Sequence, residues 1–370
     1  MAIKNYSKLD ARKPQTGRRF WTFGPKLLLA ASVLITSLVM ESAAIAASKS
    51  KPFLPAQGST SPANGDLNPY GLAVVPSGFP GALNPGQLLV SNFNDKSNVQ
   101  GNGSTIVVID PNTGQQLGVF FQAGSPVGFT NALGIVKAGF VFAGSVLSNG
   151  TSSAGLLVID SKGNALTPIA TGTNGPWGLA IRDQGKSALL FISNVLDGTI
   201  TRIPVTFSGG AVTPGTAVTI ATGYLHGSDT AGLVVGPAGL AYDKKKDILY
   251  VAAEDDNAIF AIPDASKLGS TTGTGTMIFS DTHLHGPLGL MIAPNGNLVT
   301  ANADPTAHND PTQPSEIIEF TLGGTLVREW SIDPNQGAAF AILNVMTDNA
   351  NQFAYVDDFS STLTILRLAK

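Results

Sequence analysis

The sequence contains no cysteine, so disulfide bonds and thiolate metal sites are excluded. Charged residues are also scarce, at 13% of the 370 residues, whereas glycine (42) and proline (23) are abundant. Polarity is therefore supplied mainly by Ser, Thr and Asn. This composition is typical of an exported β protein that is stabilised by packing.

Familiar catalytic signatures are missing as well. The sequence has no Gly-x-Ser-x-Gly and no His-Glu-x-x-His, and the glycine-rich stretch at residues 269–275 lacks the lysine of a phosphate-binding loop. Sequence motifs alone therefore do not decide between an enzyme and a binding protein.

The N-terminal segment has the three parts of a signal peptide. Seven basic residues precede residue 27, residues 27–40 form an uncharged and mostly apolar run, and Ala44-Ile45-Ala46 matches a small-x-small cleavage site. The apolar run is shorter than the ~20 residues that span a bilayer. We therefore predict a signal peptide over residues 1–46 and a periplasmic or extracellular protein without a membrane span. An uncleaved membrane anchor is the alternative.

Removal of residues 1–46 makes the chain more acidic. That segment carries seven basic and two acidic residues, so the remaining chain has 15 basic and 23 acidic residues and a net charge of −8. Without a basic stripe, this charge argues against nucleic acid as a partner and is compatible with cation binding. We expect a monomer.

A short motif built around Gly-Leu recurs along the chain. Copies spaced by about 44 to 63 residues occur at 68–73, 131–135, 175–180, 236–241, 286–290 and, in degenerate form, 337–342. The motif glycine lacks a Cβ atom, which permits close approach between backbones near a common axis.

Each motif is followed by short runs of β-branched and aromatic residues that predict strands. Four strands per unit, repeated six times, indicate an all-β protein with a six-bladed β-propeller over residues 68–370. Residues 47–67 are rich in Pro, Ser and Gly, and we interpret them as a linker. Either Phe53-Leu54 pairs with the last blade, or that blade has only three strands.

Two turns resemble those of the NHL repeat family. Asp255-Asp256-Asn257-Ala258-Ile259 follows one predicted strand, and Asp197-Gly198-Thr199-Ile200-Thr201-Arg202-Ile203 follows another. The whole pattern resembles uncharacterised exported bacterial propellers, both NHL-like and lactonase-like. The resemblance implies the fold, because such propellers include binding proteins, lyases and hydrolases.

The strand order places several polar side chains at one face of the predicted ring. Connections between second and third strands share this face with the connections between blades, and loops on a rigid scaffold often carry function. The residues predicted to bind a ligand there are Asn92, Asp95, Asn194, Asp197, Asp255, Asp256, Asn302, Asp304, Asp357 and Trp177.

The same face carries all four histidines. His226, His285 and His308, with Asp304, are candidate ligands for a divalent metal, because imidazole with carboxylate suits zinc and carboxylate with amide oxygen suits calcium. The alternative is structural, since Asp and Asn at repeated turns bond their own backbone. Likewise, Trp177 either stacks on a ligand or packs between blades.

Two functions are compatible with this pattern. The first is a binding module whose partner is a small molecule, a glycan or a protein. The second is a metal-dependent hydrolase or lyase of the kind found among lactonase-like and NHL-like propellers.

Overall fold

The fold is known from a computed structural model that describes residues 53–312, 315–347 and 350–368. Every regular element in these residues is a β-strand, and no helix suited to crossing a membrane occurs in them. The predicted signal peptide, residues 1–46, lies outside the described residues.

The strands form six antiparallel sheets, the blades of a propeller. Strand β1 (Phe53–Ser59) precedes the first blade, which consists of β2 (Leu67–Val74), β3 (Leu88–Asn94), β4 (Thr105–Ile109) and β5 (Gln116–Gln122). The second blade consists of β6 (Phe129–Val136), β7 (Phe140–Ser145) and β8 (Leu157–Asp160). The third consists of β9 (Pro176–Asp183), β10 (Ser187–Asn194), β11 (Thr199–Ser208), β12 (Ala211–Pro214) and β13 (Val218–Thr222).

A two-stranded hairpin separates the third and fourth blades; it consists of β14 (Gly227–Asp229) and β15 (Leu233–Val235). The fourth blade consists of β16 (Pro237–Asp243), β17 (Ile248–Ala253), β18 (Ala258–Pro263) and β19 (Thr276–Phe279). The fifth consists of β20 (Pro287–Ile292), β21 (Leu298–Asn302), β22 (Glu316–Phe320) and β23 (Leu326–Ser331). The sixth consists of β24 (Ala339–Thr347), β25 (Ala350–Asp357), β26 (Thr362–Leu368) and β1.

The inner strands contact one another in a closed ring, in the order β2, β6, β9, β16, β20, β24 and back to β2. The predicted six-bladed β-propeller is therefore confirmed. Two blades deviate from four regular strands. In the second blade, isolated bridges at Ala165 and Ile169 take the place of an outer strand, and in the third blade β12 and β13 share that place.

Ring closure follows one of the two alternatives predicted from the sequence, in which Phe53-Leu54 pairs with the last blade, but the pairing is longer. Strand β1 pairs with β26 over its whole length, from Phe53 opposite Leu368 to Ser59 opposite Thr362. Residues 53–59 are thus the outer strand of the sixth blade, although the sequence predicted a linker over residues 47–67 and a propeller starting at residue 68. Backbone hydrogen bonding supplies this pairing, so the abundance of Pro, Ser and Gly in the segment does not prevent it.

The blades are held together by apolar clusters between neighbours. Side chains of the first and second blades form one such cluster, which includes Ile106, Phe121, Phe129 and Val141. Because both faces of a blade are covered by adjacent blades, strands such as β4 are buried at every position. This explains why the strands read as continuous apolar runs.

The centre of the ring is closed by aromatic side chains. Tyr70 lies between Phe340, with ring centroids 4.3 Å apart, and Phe93, at 4.7 Å. Trp177 contacts Tyr70 and Phe93 edge-on and is fully buried. These rings pack together at the centre of the ring, while a cavity of about 280 Å³ that is lined by inner-strand residues of all six blades remains elsewhere along the axis.

The motif glycines lie where inner strands approach most closely. A Cβ atom on Gly178 would overlap the backbone carbonyl of Ala238 in the next blade, and a Cβ atom on Gly239 would overlap that of Leu288. In the second blade, a Cβ atom on Gly134 would instead meet the side chains of Ile181 and Leu179, at 2.6 and 2.9 Å. The predicted close approach of backbones therefore holds for the motif glycines of the third, fourth and fifth blades, whereas Gly134 makes room for side chains of the next blade.

We expect Gly178→Ala to lower the free energy of unfolding by about 1–3 kcal/mol, because a backbone carbonyl cannot move aside for the added methyl group. Chemical denaturation of the variant and of wild type measures the loss. Gly124→Ala is the matched control, since a Cβ atom there meets nothing within 4 Å. Equal stability of the two variants would contradict the close approach of the inner strands.

Candidate functional site

The candidate site lies at the mouth of the ring, on the face formed by the connections between second and third strands. Contacts among these connections bring different blades together there. His308 bonds the backbone oxygen of Asp255 at 3.0 Å, and Asp256 accepts the backbone N–H of Leu225 at 3.1 Å. The fifth blade thus meets the fourth blade, which in turn meets the segment leading to the hairpin.

The recurring asparagines serve the scaffold. Asn92 donates to the backbone oxygen of Thr60, and Asn302 donates to that of His283, both at or near 3 Å. Asn194 accepts the backbone N–H of the connection that enters its blade. All three are buried. They tie the connecting segments to the blades, so their ligand-binding role stays a prediction without support from these contacts.

Most of the recurring aspartates make turn contacts. Asp95 accepts the backbone N–H groups two and four residues further on, and Asp357 accepts the one three residues further on. Asp197 accepts the hydroxyl of Thr199. These are the local bonds that aspartate makes in turns. Trp177, the predicted stacking residue, is part of the buried aromatic centre described above.

The histidines do not converge on one point. His226 bonds the backbone oxygen of Tyr224 at 3.0 Å, whereas Nδ1 of His285 lies 3.1 Å from the backbone oxygen of His308. Nε2 of His285 is 3.7 Å from Asp310. Within the described residues, no three His, Asp or Glu side chains are grouped so that they could hold a metal ion. The set predicted to bind zinc or calcium, His226, His285, His308 and Asp304, is thus not assembled as a ligand cluster.

The hairpin β14–β15 reaches across the mouth. Both carboxylate oxygens of Asp229 accept hydrogen bonds from Thr306 of the fifth blade, at 3.0 and 3.1 Å. Gln100 of the first blade donates to the backbone oxygen of Ala231 at 2.7 Å. The hairpin starts between the third and fourth blades, so these contacts hold its tip over the axis.

A cavity of about 190 Å³ lies beneath this tip. Its wall comes from the hairpin and from four blades, and its most informative lining residues are Tyr70, Gly232, Glu254, Asp304, Phe340 and Asp358. Tyr70 and Phe340 belong to the aromatic centre, which makes an apolar floor. The cavity is thus apolar below and acidic at the side.

Glu254 is the most unusual residue of this cavity. Its side chain is 3% exposed, and Oε2 has no hydrogen-bond partner among the described residues. Burial raises the pKa of Glu254 well above its ordinary value, and the nearby Asp229 and Asp255 raise it further. The ionised form of Glu254 is therefore costly unless a partner supplies a hydrogen bond or a positive charge.

Asp358 of the sixth blade has a similar environment. Its Oδ1 is inaccessible to solvent and also lacks a hydrogen-bond partner among the described residues. Burial and the adjacent Asp357 raise the pKa of Asp358 well above its ordinary value. Two uncommitted carboxyl groups consequently contribute to one cavity, which is costly unless another molecule bonds them.

Register explains how sequence reasoning could have found these two acids. Each second strand has one residue that pairs with the start of the inner strand of the same blade, and these residues are equivalent between blades. Examples are Asn92 opposite Pro69, Ala253 opposite Pro237 and Asp357 opposite Ala339. The residue that follows this position in the sequence is apolar in four blades and acidic in two; the six residues are Phe93, Val146, Val195, Glu254, Ala303 and Asp358. An acid at a position that the repeat keeps apolar is the informative signal. Loop polarity pointed to the right face but to residues that serve turns.

A third buried acid, Glu316, lies under the insertion of the fifth blade. It accepts a hydrogen bond from Asn302 at 2.9 Å, and its other oxygen has no partner among the described residues. Burial raises the pKa of Glu316 from 4.5 to about 7, and the charge of Asp304 adds to the increase.

The raised pKa predicts a pH-dependent stability. The folded protein holds the proton of Glu316 more tightly than the unfolded chain does, so the stabilisation is complete below about pH 4.5 and is lost as pH rises through about 7. Each pH unit between these values costs about 1.4 kcal/mol at most. Glu316→Gln should flatten this decline and raise the melting temperature at pH 8.

Melting curves of wild type and Glu316→Gln between pH 4 and pH 8 measure the difference. Asp264→Asn is the matched control, because that side chain is 67% exposed and should leave the pH slope unchanged. A wild-type slope in Glu316→Gln would show that this carboxyl group does not control the decline.

Comparison with known proteins identifies the fold. No family model and no curated protein matches the chain. It is similar to a solved gluconolactonase from Xanthomonas campestris, with 13% identity and a TM-score of 0.53 over 83% of this chain and 87% of that one. It is also similar to a putative oxidoreductase (glucose dehydrogenase) from Thermus thermophilus, with 14% identity and a TM-score of 0.50 over 86% and 100%. These likenesses support the β-propeller fold, whereas the NHL-like and lactonase-like resemblances stay predictions.

Proposed function

We propose that the protein is an exported binding module that takes a small polar ligand into the cavity beneath the hairpin. One observation carries this proposal: Glu254 presents a buried carboxyl oxygen without a hydrogen-bond partner to a cavity at the axis. A folded protein tolerates such a group at a cost of about 1–3 kcal/mol. A ligand that bonds the carboxyl group removes this cost, and the cost recurs when the ligand leaves.

The surroundings of the cavity support the binding of a ligand at a fixed position. Inner strands from all six blades meet below it, so its floor is rigid, and the hairpin tip closes it from above. The cavity, at about 190 Å³, is smaller than the ~300–1,000 Å³ typical of sites for drug-sized molecules. The ligand is accordingly small. A glycan or a protein would contact the outer surface of the hairpin instead.

The alternative is a metal-dependent hydrolase or lyase. The observation that favours it is the pair formed by His285 and Asp310, 3.7 Å apart. Glu316 lies near this pair, and its raised pKa, about 7, suits a general acid. The four predicted ligands do not fit a metal site as arranged, so no catalytic step is assigned to one. Elemental analysis after dialysis separates the functions, because this alternative expects one retained metal per chain.

Binding can be tested with a panel of glucose, gluconate, choline and putrescine, with the melting temperature as the readout. We expect at least one of these molecules to raise the melting temperature of the wild type. Ala231→Trp should abolish the increase, because Ala231 lines the cavity at its exposed edge and indole would fill the space.

Ala211→Trp provides the matched control. Ala211 is exposed on β12, at the outer edge of the third blade, so its replacement should leave the ligand response intact. The proposal would be wrong if no molecule of the panel raised the melting temperature, or if the increase persisted unchanged in Ala231→Trp.

A further inference from the structure

The charges around the cavity have one sign. Glu254, Asp304 and Asp358 line it, and no Lys or Arg is among the described residues of its wall. Asp229, at the hairpin tip, is close enough to influence both Glu254 and Tyr70 electrostatically. An anionic ligand would be repelled from this wall, whereas a cation would be attracted.

The three acids that line the cavity differ in whether their carboxyl oxygens already accept hydrogen bonds from the protein. Asp304 accepts backbone N–H groups from Ser315 at 3.0 Å and from Gly337 at 3.3 Å, so its oxygens are occupied within the scaffold. Glu254 and Asp358 each keep one buried oxygen without any partner among the described residues. Glu254, at 3% exposure, cannot turn to water for one. Two residues that line the cavity thus have unused hydrogen-bond acceptors, which a small rotation of either side chain would turn toward a ligand with N–H or polarised C–H groups.

The floor of the cavity adds a second attraction for a cation. The rings of Tyr70 and Phe340 lie 4.3 Å apart and are tilted by 33°, and both residues line the cavity. Because Phe340 and Phe93 cover the two faces of the Tyr70 ring, Phe340 is the ring that can offer a face to a cation. A cation over that face would gain about 0.5–2 kcal/mol, more when it is desolvated.

We propose that the ligand is a small organic ammonium compound, held with its positive nitrogen near Glu254 and Asp358 and against the ring of Phe340. This inference rests on the proposed binding function and specifies its ligand class. Asp229 and Asp304 contribute at longer range, by charge. The hairpin tip excludes water from the nitrogen and so strengthens each of these interactions.

A pair of molecules with the same shape and different charge tests the inference on the wild-type protein. Choline and its neutral carbon analogue 3,3-dimethylbutan-1-ol are compared by isothermal titration calorimetry. We expect choline or tetramethylammonium to bind at least tenfold more tightly than the neutral analogue. The ammonium assignment would be overturned if choline and its neutral analogue bound equally well, or if glucose bound and neither choline nor tetramethylammonium did. Either result would leave the proposed binding function standing.

Substitutions then locate the charge. Glu254→Gln and Asp358→Asn keep the size of each side chain, and each should weaken ammonium binding at least tenfold without changing the neutral analogue. Asp264→Asn, at an exposed carboxyl group that does not line the cavity, should have no effect. Unchanged ammonium binding in both cavity variants would overturn the assignment. If no probe binds at all, the proposed binding function fails with it.

Discussion

The close approach of six inner strands around one axis is the constraint on which the structure depends. Gly178 and Gly239 allow neighbouring backbones to touch there, and a side chain at either position would overlap a carbonyl group. Because carbonyl groups cannot yield, the spacing of the blades is fixed at the centre and widens outward. Everything at the mouth, including the cavity, takes its position from this spacing.

The repeat and the site use different residues for this reason. A residue that recurs in every blade, such as Asn92 or Asn302, meets a need that also recurs, namely holding a connection against its own blade. A site at the axis is asymmetric, so it is built from residues that break the repeat. Glu254 and Asp358 occupy positions that are apolar in the other blades, and the hairpin β14–β15 has no counterpart elsewhere in the described chain.

The architecture could be predicted from the sequence because glycine motifs and apolar runs report local packing that each blade must satisfy. The outer strand at residues 53–59 could be predicted only as one of two alternatives and not at its full length, since its pairing with β26 depends on backbone groups distant in sequence. The face of the site could also be predicted, from strand order. Of the acids that line the cavity, Asp304 was predicted and Glu254 and Asp358 were not, because polarity in a loop does not distinguish a turn aspartate such as Asp95 from a buried acid such as Glu254.

Joining β1 to β26 has a consequence for the order of events during synthesis. The earliest described strand acquires its partner only when residues 362–368 have left the ribosome, some three hundred residues later. Until then the ring of blades cannot close, and the sixth blade lacks its outer strand. The propeller therefore becomes a closed body only after its final strand arrives.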